Sequence, residues 1–366
     1  MHRLTFVPAN RALPLSLIPR PRPRPLNLRA LPRRIACELA SIAGDRDREL
    51  ELPLVLILRP LFPAFQDALR ERFRFLEPWE SSLPTHDFLS AHANSVRALL
   101  CSGPLPPVDA STLACLPGLQ CVVATSTGVN HIAMDECRRR EILVANAGTV
   151  FSDDAADYAV GLLIDVLRKI STSDRYIRSG LWPLKGTYLL GSKLGGKRVG
   201  IVGFGSIGSK VAKRLEAFGC TIFYHSRTRK PSVSFKYFSN ISNLAAESDA
   251  LIVSCALTNE THHIISKDVL LALGKEGVVI NVGRGALIDE KELVNCLMEG
   301  VIGGAGLDVF EDEPNVPQEL FVLDNVVLSH HRAVFTPDSF SSLLQLVIDN
   351  LEAFFAGRPL LSPVSA

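Results

Sequence analysis

The chain has 366 residues, more than a single hydrophobic core usually organises, so two domains are the expectation. Hydrophobic residues at 47% and charged residues at 21% are ordinary for a globular protein, and no apolar stretch approaches the ~18 residues of a membrane span. Net charge is +1 but unevenly placed: residues 1–50 hold ten Arg and four acids, while the remainder holds 29 basic and 34 acidic residues, no excess that would bring nucleic acid to the globular part.

Residues 1–50 do not read as part of the fold. Arg20-Pro21-Arg22-Pro23-Arg24-Pro25 favours an extended, solvated backbone. Such an Arg-rich, acid-poor start is expected to be a disordered extension of a cytoplasmic protein; the alternative is an organelle transit segment. From Pro53 the chain alternates strands and helices. Strands are expected over Leu54–Leu58, Arg97–Cys101, Gln120–Thr125 and Ile142–Ala145, with helices over Pro63–Phe73 and Asp109–Leu116. A long connecting helix follows over Ser152–Arg178, with Ser152, Asp153 and Asp154 available as caps and Ala156, Val160, Leu163, Val166 and Leu167 at helical spacing.

A second alternating series places strands at Arg198–Val202, Thr221–Tyr224, Ala250–Cys255, Val278–Val282, Gly306–Val309 and Val326–Leu328. Asp289 is set to cap a helix ending at Gly300, and Pro337–Phe355 reads as a returning helix. This alternation predicts an α/β protein with two doubly wound parallel-sheet domains. The expected organisation is a Rossmann-type cofactor domain, 151–334, inserted into a flavodoxin-like substrate domain made of 51–150 and 335–366. The eight cysteines form no CxxC pair and no Cys/His cluster at metal spacing, so neither a metal site nor a disulfide is expected.

Gly203-Phe204-Gly205-Ser206-Ile207-Gly208 matches GxGxxG between an expected strand and an expected helix, the context a dinucleotide site requires. Gly203 permits the tight turn, Gly205 lets backbone approach a pyrophosphate, and Gly208 lets the helix pack close to the strand. Ser206 and Ile207 open the helix whose N-terminus attracts the anion. An acid about 20 residues on would bind the adenosine ribose. Here the turn is His225-Ser226-Arg227-Thr228-Arg229-Lys230, with hydroxyls and cations instead. Ser226, Arg227, Thr228 and Lys230 suit a 2′-phosphate, so NADP(H) is expected over NAD(H). Cys255 and Val282, at neighbouring strand ends, line the same groove.

Three later strand ends carry complementary chemistry. Arg284 stands between two glycines, Glu313 closes an acidic stretch before Pro314, and His331 follows the last strand. A cation can hold a carboxylate and polarise a carbonyl; an acid can protonate an alkoxide, and a carboxylate can favour that acid's protonated form. Reduction of a 2-keto acid needs this set.

These segments resemble the D-isomer-specific 2-hydroxyacid dehydrogenases over about residues 53 to 360, and most closely the branch of plant-type NADPH-dependent glyoxylate/hydroxypyruvate reductases. The resemblance implies that Arg284 binds substrate carboxylate and carbonyl, that Glu313 pairs with the proton donor His331, and that Asp308 meets the nicotinamide carboxamide. It further implies that Ser102 and Gly103 cradle the substrate carboxylate, and that the chain is a homodimer through its cofactor domain. Glyoxylate and hydroxypyruvate would give glycolate and D-glycerate. One departure stands out: the family usually has Pro before the catalytic His, and here it is His330. His331 is preferred over His330 as donor because it keeps the family's spacing to Glu313. The competing reading is a dinucleotide-sensing, corepressor-like binding protein of the same fold.

Overall fold

The computed structural model describes residues 52–103 and 106–364. The expectations for residues 1–50 lie outside them. Two sheets, both wholly parallel, account for every named strand. The first contains β1 (Leu54–Ile57), β2 (Arg74–Leu76), β3 (Ala98–Cys101), β4 (Cys121–Ala124) and β5 (Leu143–Ala145), in the order β2-β1-β3-β4-β5. This is the flavodoxin-like order. Its middle strands β3 and β4 are buried at every residue, as expected of strands covered on both faces.

The second sheet contains β6 (Arg198–Val202), β7 (Thr221–His225), β8 (Lys236–Tyr237), β9 (Ala250–Val253), β10 (Val278–Asn281), β11 (Gly304–Leu307) and β12 (Val326–Leu328). Its order, β12-β11-β10-β9-β6-β7-β8, reverses direction between β6 and β9, as in dinucleotide-binding sheets. Ligands in such sheets bind beyond the carboxyl ends of the strands at that reversal. The loops after β6, β9, β10, β11 and β12 are the ones that carry Gly203, Cys255, Arg284, Glu313 and His331.

The helix Ser152–Arg168 packs its apolar stripe on the second sheet, with Ala156 and Leu163 in a core shared with Ile201 and Ile252. The helix Pro337–Phe355 returns to the first sheet and places Leu343, Val347 and Leu351 among Val55, Ile57 and Val123. Its start is fixed by a capping box, in which Thr336 Oγ1 accepts from the Ser339 N–H at 3.1 Å, with Pro337 in the first turn.

Several expectations on local structure need correction. The connector is two helices, Ser152–Arg168 and Ile170–Arg178, broken at Lys169, whose φ of 55° is left-handed. Asp165 spans the break by accepting from the Ser171 N–H at 2.8 Å. Asp153 and Asp154 do not cap the first helix, whose N-cap is Phe151. Asp153 pairs instead with Lys210 Nζ at 2.7 Å, and Asp154 accepts from Thr336 Oγ1 at 2.8 Å. The strand expected over Gly306–Val309 runs over Gly304–Leu307, which makes Asp308 the first residue past its end. The strand expected to reach Cys255 stops at Val253.

Candidate active site

The phosphate loop is built by close contacts that only glycine allows. A Cβ at Gly203 would meet Cys255 N at 2.5 Å, and one at Gly208 would meet Gly203 O at 2.2 Å. Gly203 also has a φ of 97°. At Gly205 a Cβ would meet nothing within 4 Å, so no protein contact demands glycine there. Gly205 is the N-cap of the helix Ser206–Ala217 and makes no side-chain cap. The helix therefore presents free N–H groups of its first turn over an open backbone, a fit for a diphosphate.

The basic turn leaves β7 beside this loop. Ser226 Oγ donates to Thr228 O at 2.7 Å, and Lys230 N–H donates to Tyr224 Oη at 2.9 Å, so the turn is held from within. Arg227 and Thr228 are exposed. Across from them, a hydrogen bond from Thr258 holds the Glu260 carboxyl below its ordinary range, and the Arg227 charge adds to this.

Arg284 lies three residues past β10. Its guanidinium donates to Gly283 O at 2.7 Å, and Asn281 Nδ2 donates to Arg284 O at 2.9 Å, which fixes the turn. Burial pulls the guanidinium below its ordinary value, while Glu313 opposes the shift. The flanking glycines are required by protein packing. A Cβ at Gly285 would meet the Phe310 carbonyl carbon at 1.9 Å, and one at Gly283 would meet Leu287 at 2.7 Å. Gly285 thus lets the Arg284 turn lie directly on the segment leading to Glu313.

Glu313 and His331 meet. His331 Nδ1 donates to Glu313 Oε2 at 2.8 Å, and Phe310 N–H donates to Glu313 Oε1 at 3.1 Å. Burial would raise the Glu313 carboxyl, but the His331 bond and charge, the Phe310 N–H and Arg284 outweigh it, and the net shift is downward. With Nδ1 engaged, Nε2 of His331 is the ring atom left to face a substrate. His331 has a φ of 51°, an uncommon conformation for a side chain branching into a ring. Buried Asp308 braces it. Asp308 Oδ1 accepts from Ser329 Oγ at 2.6 Å and Arg332 N–H at 2.9 Å, Oδ2 accepts from Ala333 N–H at 2.9 Å, and Asp308 O accepts from His331 N–H at 2.7 Å. Any contact of Asp308 to a nicotinamide would come on top of these. His330 lines the same largely apolar cleft as Glu313 and His331, together with Phe310, Pro314, Phe321 and Leu328, and unlike His331 it makes no described bond to Glu313.

The first sheet supplies the opposite wall. Ser102 and Gly103 follow β3, and Arg59 follows β1 and covers Gly103, where a Cβ would meet its Nη1 at 3.3 Å. The loop after β4 reaches Arg284: a Cβ at Gly128 would meet Arg284 Nη2 at 2.3 Å and Asn130 Oδ1 at 3.2 Å. Sequence reasoning left Gly128, Asn130 and Arg59 without a role; in the structure Gly128 and Asn130 gather at Arg284, while Arg59 covers Gly103. His131 has a buried Nε2 with no partner among the described residues. Burial, and then Arg284, lower its pKa.

Other residues separate from this centre. His262, His263 and Glu311 gather their ligand atoms within 4.8 Å, although no metal pattern is visible in the sequence. The two rings stack at 3.9 Å, and His263 Nε2 already bonds Glu311 at 2.6 Å. Burial pushes the Cys255 thiol up to about 11, which suits a lining residue rather than a nucleophile. The seven described cysteines are free thiols. Trp182 is 61% exposed, on the short helix Trp182–Lys185, none of whose residues is buried.

Comparison with known proteins agrees with this geometry. Residues 160–333 match the family described as D-isomer specific 2-hydroxyacid dehydrogenase, NAD binding domain. A glyoxylate/hydroxypyruvate reductase of Arabidopsis thaliana is 57% identical over 316 residues, spanning 86% of this chain and 98% of that protein. A hydroxyphenylpyruvate reductase of Plectranthus scutellarioides is 44% identical over 310 residues, 85% of this chain and 98% of its own. The crystal structure of an NADPH-dependent glyoxylate/hydroxypyruvate reductase from Sinorhizobium meliloti, in complex with NADP and malonate, aligns with a TM-score of 0.79 at 35% identity, covering 86% of this chain and 97% of that one. With its two parallel sheets and its match along nearly the whole length of these relatives, the chain belongs to the D-isomer specific 2-hydroxyacid dehydrogenase family.

Proposed function

We propose that the chain is a glyoxylate/hydroxypyruvate reductase that prefers NADPH and uses Arg284, Glu313 and His331 for catalysis. The observation that carries the reading is the 2.8 Å bond from His331 Nδ1 to Glu313, beside the half-buried guanidinium of Arg284. In this reading residues 51–150 and 335–366 form the substrate module, and 151–334 the cofactor module. Gly203, Gly205, Ser206, Ile207 and Gly208 hold the diphosphate, and Val282, Cys255 and Asp308 line the groove toward the nicotinamide. A bound reduced dinucleotide supplies the hydride. Arg284 holds the keto acid's carboxylate and draws charge onto the carbonyl oxygen. His331 Nε2 gives its proton to that oxygen as it becomes an alkoxide, and the ionised Glu313 favours the charged ring until the transfer. The Ser102–Gly103 and Gly128 loops close the other side and exclude water.

The exposed Arg227 and Thr228, with Ser226 and Lys230, support NADPH, because an acid that would repel the 2′-phosphate is absent from this turn. The NADP complex of the Sinorhizobium relative is in keeping with this choice. A homodimer belongs to the same reading. Ile177, Trp182, Leu184 and Leu190 are large apolar side chains exposed along or just after the connector, which a second copy would cover. No helix among the described residues is long and apolar enough to cross a membrane. The test is a set of initial rates with glyoxylate, hydroxypyruvate and larger keto acids, each with NADPH and NADH. Higher kcat/KM with NADPH on the two small acids is expected. No turnover of either acid, or a preference for NADH, contradicts the corresponding part of the reading.

A further inference from the structure

The guanidinium of Arg284 has neighbours from both sheets. On its own loop, Nη1 donates to Gly283 O at 2.7 Å. From the first sheet, the loop after β4 lies so close that a Cβ at Gly128 would meet Nη2 at 2.3 Å and Cζ at 3.1 Å. That loop is bonded at four successive residues. Thr125 N–H donates to Cys101 O at 2.9 Å, and Ser126 O accepts from Ala147 N–H at 3.0 Å. Thr127 O accepts from Asn146 Nδ2 at 2.7 Å, and Gly128 O accepts from Ser126 Oγ at 2.8 Å. The guanidinium, by contrast, is the far end of a flexible side chain. A methyl group at position 128 would therefore move the guanidinium and not the loop. Ordinary contact begins at 3.4 Å, so Nη2 would retreat by about 1 Å. Gly128 is not among the glycines with positive φ, so its backbone conformation is open to alanine and the contact alone opposes a side chain there.

The proposed function gives Arg284 both the carboxylate and the carbonyl of the keto acid. The position of its guanidinium then sets where the reacting carbon lies relative to His331. A misplacement of about 1 Å at such a group costs on the order of 10²-fold in rate. We infer that Gly128 is a positioning residue for Arg284. The bonded loop of the first sheet is a stop against which the guanidinium rests, and it sets the working position only while residue 128 lacks a side chain. The inference rests on the reductase reading above.

The experiment compares wild type with Gly128→Ala in kcat/KM for glyoxylate and hydroxypyruvate with NADPH, in NADPH affinity and in urea midpoint. In Gly128→Ala kcat/KM should fall by about 10- to 100-fold for both acids alike, because they share the carboxylate and carbonyl that Arg284 holds. NADPH affinity should stay within about twofold of wild type, since the Gly203–Gly208 loop is untouched. A methyl group that only narrowed the pocket would penalise hydroxypyruvate, the larger acid, more than glyoxylate. A loss confined to hydroxypyruvate, or a kcat/KM within about twofold of wild type for both acids, overturns the inference and leaves the reductase reading standing. Where the urea midpoint falls as well, the same substitution is made in Arg284→Ala. A fall that vanishes in that background traces the constraint to the guanidinium, and one that persists overturns the inference. A wild-type protein that reduces neither acid overturns both the inference and the reductase reading.

Discussion

The carboxyl of Glu313 is under two opposed influences. Burial favours its neutral form, while His331, the Phe310 N–H and Arg284 favour the anion and win. Its folded-state pKa is therefore depressed. The stabilisation this brings is present above the unfolded value of about 4.3 and is lost as pH falls through the lower folded value. Glu313→Gln should thus unfold at lower urea than wild type by a margin that is steady from pH 7 to about 4.5 and closes in more acid solution. A margin that grows on acidification would contradict the pairing. Arg227 carries the second prediction at this scale. Arg227→Asp should weaken NADPH binding by about 10- to 150-fold, the range for a lost charge-assisted bond, with little effect on NADH. Cofactor fluorescence titration measures both, and equal losses would remove Arg227 from the 2′-phosphate site. Arg284, Glu313 and His331 could be singled out in sequence because each lies in the segment that follows an expected strand. Gly128 was not, because it meets Arg284 only where a loop of one sheet packs against a loop of the other. The packing role of Gly285 was hidden because its constraint is the Phe310 backbone, 25 residues on.

Elements transmit these constraints. The turn over Gly285–Leu287 and the segment Phe310–Glu313 interlock with no room for a methyl group. Gly285→Ala should therefore displace Arg284 relative to Glu313 and lower kcat strongly, while NADPH binding persists because the Gly203–Gly208 loop is remote in sequence and separately held. Parallel measurement of kcat and NADPH affinity checks this, and full activity would deny the interlock. The returning helix Pro337–Phe355 is held by core burial. Leu351 is fully buried in the core of the first sheet. Leu351→Ala should cost about 2–5 kcal/mol in urea unfolding, the usual range for a buried leucine. A cost under about 1 kcal/mol would mean the helix packs loosely. This helix was legible to the residue, since Thr336, Pro337 and the apolar spacing agree. The break at Lys169 was not: Leu163, Val166, Leu167 and Ile170 keep helical spacing across it, and neither Gly nor Pro marks it. The short edge strands β2 and β8 span three and two residues, too few to show a period.

At the scale of the molecule, the chain leaves the first sheet once, builds the second, and returns through Pro337–Phe355. The proposed site draws on both sheets, because Arg284 from one lies against Gly128 of the other. The alternation of strands and helices carried the fold class, while the sheet orders needed the structure. Assembly is open to a direct check. Leu184→Asp with Leu190→Asp should shift the mass in light scattering from twice the chain mass toward one chain, and a wild-type monomer would contradict the dimer. The central claim is that this cleft completes hydride transfer with a proton from His331 held by Glu313. Steady-state reduction of hydroxypyruvate by His331→Ala and His330→Ala, with NADPH binding followed in parallel, tests it most directly. His331→Ala should lose about 10²- to 10⁴-fold in kcat, the scale of a missing general acid, while still binding NADPH, and His330→Ala should stay near wild type. An active His331→Ala beside an inactive His330→Ala would contradict the account.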